Sequence, residues 1–355
     1  MSSHNRVSLA EKELGRSVVS INPEINQLLK RTEVQTYFGV KNTDQIPKHL
    51  IDKLVQQPNL TWLTIDKASD KGRAIDTDLS NPLTYRRMTG SSSGGPINIL
   101  KGINDFAIGT DGGGSILAPA ISCQLPSIIG AGLGLHVKNA KISTDRIAFQ
   151  GSLGVVGKSI SKIANVMEVL TGESLLHCHQ QHEKLRIAIP TKGSIICPDN
   201  KDMHEKIMTY LSKINLEDYE LIEVDMHDIE ERENSIQAMR KAFIEKKADL
   251  ILTAEGPVDV YGYGETIPQH FGDVGKQITN NHGKYLVRAA NMCQTTAITI
   301  PTPDLASGLV VISKKGVENA RQAVKLAKKL EETIHMPDLW KRYFMNEQVS
   351  DMLEF

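Results

Sequence analysis

Two neighbouring stretches decide how this sequence is read: Gly90-Ser91-Ser92-Ser93-Gly94-Gly95 and Gly109-Thr110-Asp111-Gly112-Gly113-Gly114-Ser115. The second follows the apolar run Phe106 to Ile108, which places it at a strand end. Three glycines before a serine let the backbone turn successive N–H groups toward one point, forming an anion-binding nest. Of the 27 glycines in the chain, 14 fall between Gly90 and Gly157. A nest can hold a phosphate, the pyrophosphate of a dinucleotide or the oxyanion of acyl transfer, and a plain glycine turn is the bland alternative. No lysine follows the glycines as a phosphate loop requires, and Gly130, Gly132 and Gly134 lack dinucleotide-fingerprint spacing. A hydroxyl beside its own oxyanion donors is the arrangement that acyl transfer needs, so Ser115 favours the third reading.

A serine nucleophile needs a base. The 11 histidines form no Ser-His-Asp pattern, and there is no G-x-S-x-G elbow. The remaining solution is a neutral lysine acting through a second hydroxyl, which gives the upstream serine cluster a purpose.

Outward from these clusters, short β-rich runs alternate with amphipathic helical segments. Pro47 to Gln57 reads as a helix, Leu60 to Ile65 as a strand and Ser159 to Gly172 as a helix. Strands follow at Lys184–Pro190, Tyr219–Asp225, Ala248–Ala254, Thr295–Pro301 and Leu309–Ser313, with helices at Asp202–Ile214, Asp228–Lys247 and Gly316–Ile334. This alternation predicts an α/β fold: a single large domain over residues 1–355, its central mixed, mostly parallel sheet covered by helices on both faces. The catalytic core is expected at about residues 35–175. Gly130 to Gly134 and Gly151 to Gly157 are assigned to tight turns and close backbone packing. The charge run Glu230 to Glu233 reads as the solvated face of a helix.

With both clusters in order, the sequence resembles the amidase signature family, the Ser-Ser-Lys amidohydrolases, and the likeness continues through Pro119, Ala120 and Cys123. Around them, Phe38-Gly39-Val40-Lys41-Asn42 is similar to the strand carrying the family lysine, Asn81-Pro82 to the Asn-Pro before the serine cluster, and Gly151-Ser152-Leu153-Gly154 to the later core. The resemblance implies Ser115 as nucleophile, Ser91 as the serine after a cis peptide bond (Ser92 if the register slides by one), and Lys41 as the base. It implies an oxyanion hole from Gly112, Gly113 and Gly114. Lys67 and Lys71 lie nearer the serines but follow the Leu60 to Ile65 strand, and are read as surface charges. Leu117 stands where the family commonly has a basic residue, and the chain is short for the family, with a reduced substrate cover. The implied activity is cleavage of a small carboxamide through an acyl-enzyme and a Ser-Lys proton relay. Two alternatives are the amidase subunit of a glutamine-dependent amidotransferase and a silent scaffold or binding protein on this fold.

Composition narrows the rest. Forty-one basic against 42 acidic residues, with 5% aromatics, give no footprint for nucleic acid. Met1 to Arg16 is polar with no apolar leader core, and no window approaches a membrane span, so a cytoplasmic protein is expected. Cys123, Cys178, Cys197 and Cys293 form no CxxC pair and read as reduced, packed thiols, Cys123 included. His177, Cys178, His179 and His182 invite a metal reading, but a polar loop explains them better, and neither metal nor cofactor is expected. Tyr261 and Tyr263 line the acyl pocket or belong to a surface loop. A partner subunit or homodimer fits the reduced cover.

Overall fold

A computed structural model describes residues 3–28, 35–143, 146–177, 184–265 and 267–345. Its strands are β1 (Val18–Ile21), β2 (Thr36–Lys41), β3 (Leu60–Asp66), β4 (Ile75–Ser80), β5 (Arg87–Thr89), β6 (Phe106–Asp111) and β7 (Ser127–Ile129). They continue as β8 (His136–Ile142), β9 (Ala148–Gly157), β10 (Leu185–Pro190), β11 (Tyr219–Val224), β12 (Leu250–Glu255), β13 (Thr296–Pro301) and β14 (Gly308–Ser313). Among the described residues, twelve strands form one sheet in the order β1-β3-β2-β6-β9-β7-β13-β14-β12-β10-β11, with β8 on β9, while β4 and β5 pair separately.

The sheet is mixed, and its two flanks differ from its centre. β2 runs parallel to β3 and β6 on one side, and β10 runs parallel to β11 and β12 on the other. Between them, β9, β7, β13 and β14 pair antiparallel because short connections join adjacent strands there. β12, β13 and β14 are buried at every residue, as strands covered on both faces must be. On one face the helix Ile160–Thr171 packs against Lys48–Val55 and Val317–Thr333. Its Ser159 cap accepts from the Lys162 N–H, and Gly172 closes it in the left-handed conformation.

Gly151 to Gly157 lie within the longest strand, β9, and not in a turn. A Cβ on Gly154 would approach the Ile128 carbonyl to 2.9 Å, and one on Gly157 would meet Ile163 at 2.7 Å. These glycines therefore serve the close packing expected of them, in extended backbone. The polar N-terminal segment is a helix, Ser3–Lys12, whose Arg6 bonds the Ile103 carbonyl and Asp105.

β2 is the strand that carries Lys41, and its position is set by packing. The Phe38 and Phe106 rings stack 5.1 Å apart across the β2–β6 pair. Beside them, a Cβ on Gly39 would stand 2.1 Å from Asp66 Oδ2 and 2.6 Å from Asn104 Nδ2. Asp66 is itself buried, bonded to Thr64 and Asn98, with its pKa pushed up to about 7 by burial. Gly39→Ala is expected to destabilise the protein by about 1–3 kcal/mol, the usual cost of overpacking. A thermal unfolding midpoint equal to that of the parent protein would mean that this layer has slack.

Candidate active site

The site forms where β2, β6 and the serine-rich segment meet. Lys41 is the last residue of β2, only 7% exposed, and its Nζ donates to Ser91 Oγ at 2.7 Å and to Thr110 Oγ1 at 3.1 Å. Burial is the main force on its ammonium. Desolvation lowers its pKa from 10.5 to about 7, opposed by the charge of Asp111 and assisted by that of Lys141. Near neutral pH a large share of Lys41 is therefore an uncharged amine.

Ser91 follows β5 through a cis Gly90–Ser91 peptide bond. The segment is held from both sides. Gly90 N–H donates to the Ala74 carbonyl at 2.6 Å, Ser69 N–H donates to the Ser91 carbonyl, and Ser92 N–H donates to the Ser115 carbonyl at 3.1 Å. A Cβ on Gly90 would meet the Arg73 carbonyl at 2.4 Å, which excludes any larger residue there. Ser92 instead sits against Gly109, with its hydroxyl 3.4 Å from the Thr110 carbonyl. The helix Gly94–Leu100 then carries the chain back under the sheet.

The nest hangs from β6. The buried Asp111 carboxylate accepts from Gly114 N–H at 2.9 Å, Ile116 N–H at 2.6 Å and Leu117 N–H at 3.3 Å, folding the loop around itself. Sequence reasoning missed this role, although Asp111 lies inside the quoted motif. The arrangement also corrects the expected donor set. Gly114 N–H is directed at Asp111, and its φ of +95° makes its part conformational. Gly112 and Gly113 line the open cleft, and no hydrogen bond from either N–H to protein is present among the described residues.

Lys41, Ser91, Thr110 and residues Gly112 to Ser115 share one cleft of about 630 Å³. Ser115 is half-buried, and among the described residues no side-chain hydrogen bond joins it to Ser91. The other lysines are placed elsewhere. Lys67 bonds Asp76 and Asp78, away from Ser91, and Lys71 stands exposed at the rim.

Further members come from the second half of the chain. Arg232 and Arg288 line the same cleft, and a Cβ on Gly113 would lie 3.4 Å from Arg232 Nη2. Glu230 to Glu233 is thus not only a solvated face, since Arg232 turns inward. Gly264 and Glu265 reach the cleft, whereas Tyr261 points into solvent at 56% exposure. Cys123 is fully buried, its thiol pushed up to about 12 by desolvation. Cys178, His179 and His182 lie outside the described residues. No group of three His, Cys, Asp or Glu residues suited to a metal occurs among the described residues, and none of their helices is long and apolar enough to cross a membrane.

Comparison with known proteins agrees with this geometry. A family model described as Amidase matches residues 77–298. Among curated proteins, a glutamyl-tRNA(Gln) amidotransferase subunit of Methanospirillum hungatei is 34% identical over 97 residues, 26% of this chain and 21% of that protein. The subunit of the same name in Clostridium acetobutylicum is 33% identical over 29% of this chain and 22% of its own length. The match thus spans about a fifth of these relatives. Similar solved structures include 6-aminohexanoate cyclic dimer hydrolase, with a TM-score of 0.64 at 11% identity, covering 95% of this chain and 94% of that one. The peptide amidase of Stenotrophomonas maltophilia gives 0.62 at 12% identity, over 94% of each chain. At such identities the likeness is one of fold.

Proposed function

Because the chain belongs to the amidase family, we propose that it hydrolyses a small carboxamide, with Ser115 as nucleophile, Ser91 as relay and Lys41 as base. The observation that carries this reading is the 2.7 Å bond from a largely desolvated Lys41 amine to Ser91, at the floor of the cleft that holds Ser115. Neutral Lys41 accepts the Ser91 proton as Ser91 takes that of Ser115, whose Oγ then bonds the amide carbon. The N–H groups of Gly112, Gly113 and Ser115 face the oxygen that becomes negative, and one such donor is worth roughly 2.7–4 kcal/mol in the barrier. The relayed proton goes to the leaving nitrogen, and water entering by the same route releases the acid.

A fluorophosphonate probe tests the nucleophile directly. Covalent labelling at Ser115, with turnover of at least one member of a broad amide panel, is the expected result; folded protein that neither labels nor turns over would end the proposal. Asp111→Asn tests the loop: the amide nitrogen opposes the donors that Asp111 now accepts, so kcat/KM is expected to fall about 10- to 100-fold. An unchanged value would show that the nest does not need its carboxylate.

The names of the curated relatives favour a second reading, in which released ammonia passes to a partner chain. Amide hydrolysis by the isolated chain separates the two, since the second requires a partner for activity. Burial of Lys41 argues against a silent scaffold, which would have no use for a desolvated lysine.

A further inference from the structure

The wall of the cleft facing the nest is built from cations that no step above uses. The chain as a whole has a formal charge of -1. The residues lining this cleft nonetheless include seven lysines or arginines against three carboxylates. Some of that charge is answered locally: Glu265 bonds Arg73 at 3.1 Å, and the buried Lys284 bonds Asp259 at 2.8 Å. An excess remains, and it is concentrated at Arg232 and Arg288.

These two arginines come from separate elements and converge on the glycine loop. Arg232 begins the helix Arg232–Arg240, and its Nη2 lies 3.4 Å from where a Cβ on Gly113 would stand. Arg288 ends the turn Leu286–Arg288, with its Cα 3.8 Å from the corresponding point on Gly114. Behind the cleft, Arg288 Nη1 donates to the Glu230 carbonyl and lies 3.0 Å from His282 Nε2, which fixes the head of the side chain. Burial and the neighbouring Arg288 charge lower the pKa of Arg232 from 12.5 to about 10, so each guanidinium disfavours the other. Two partly desolvated like charges side by side are relieved by an anion that touches both.

We propose that the cleft takes an amide that also carries a carboxylate, which Arg232 and Arg288 hold beside the glycine loop. Because the arginines stand against the residues that receive the scissile carbonyl, the spacer between carboxylate and amide is short, as in a four-carbon amic acid. Guanidinium groups suit this task, since their planar donors match both oxygens of a carboxylate. The assignment of the scissile end rests on the amidase reading above; the anion site does not.

Two measurements keep these apart. Succinate, which cannot be hydrolysed, is titrated by calorimetry into the wild-type chain and into S115A, and kcat/KM is compared for succinamate and the neutral diamide succinamide. Expected are succinate binding in both proteins, a preference for succinamate of at least about tenfold, and loss of both in R232Q. If R232Q does not fold, R288K gives the same readout, because a lysine keeps the charge and loses the planar donor pair. Succinate binding that disappears in R232Q, without turnover of either amide, would support the anion site and count against the amidase reading. Equal turnover of both amides, or succinate affinity unchanged in R232Q and R288K, would overturn the carboxylate assignment and leave the amidase reading intact.

Discussion

Ser115→Ala is expected to abolish phosphonate labelling and to lower kcat by at least about 10³-fold, since removing the nucleophile of a serine hydrolase leaves only binding and oxyanion stabilisation. The fold should survive the change. What ties Ser115 to the serine segment is its carbonyl oxygen, which accepts from Ser92 N–H at 3.1 Å, and the hydroxyl takes no part in that bond. Ser91→Ala leaves the nucleophile in place but removes its route to Lys41 Nζ, 2.7 Å from Ser91 Oγ. Its loss is expected to be about 10²- to 10⁴-fold, the range for a proton-transfer partner. The double variant should be little worse than S115A, because groups that act as a unit are not additive. A product of the two single losses would mean that the serines act separately. Thermal midpoints near that of the parent protein, measured alongside, separate lost chemistry from lost structure.

How far the sequence discloses this site depends on how local each part is. β12, β13 and β14 are legible because apolar runs buried on both faces leave an unbroken signal in the chain. β9 is not, because its glycines at 151, 154 and 157 read locally as turns. They are required by neighbours from distant segments, Ile128 and Ile163 among them. The nest is legible as a motif, while its donor set is not: that Gly114 N–H turns to Asp111 is a matter of loop geometry. Arg232 and Arg288 lie furthest from view. They stand 56 residues apart in the sequence, one of them within a run of glutamates, and only the packing of their elements brings both guanidinium groups to one cleft. Reaction class is written in short motifs, whereas substrate contacts are assembled by the fold.

Lys41 yields the second large effect, and it can be read in both activity and stability. If the uncharged amine is the base, kcat/KM rises with pH and levels off above an inflection near pH 7, the value to which burial lowers its pKa. Lys41→Met should lower kcat/KM by about 10²- to 10⁴-fold and remove that inflection. The same substitution should raise stability. Between pH 7 and 10.5 the unfolded chain holds a proton that the folded chain has released, so the stability of the parent protein gains with rising pH across this window. Below pH 7 both states carry the proton, and the cost of burying it is at its greatest. Lys41→Met avoids that cost. Its unfolding midpoint should therefore exceed that of the parent protein most clearly near pH 6, with the advantage shrinking toward pH 10. An inactive variant that is also the more stable one distinguishes a base held at the expense of the fold from a lysine that supports it. An inflection near 10.5, the ordinary lysine value, or a midpoint lowered at pH 6, would remove Lys41 from the role of base.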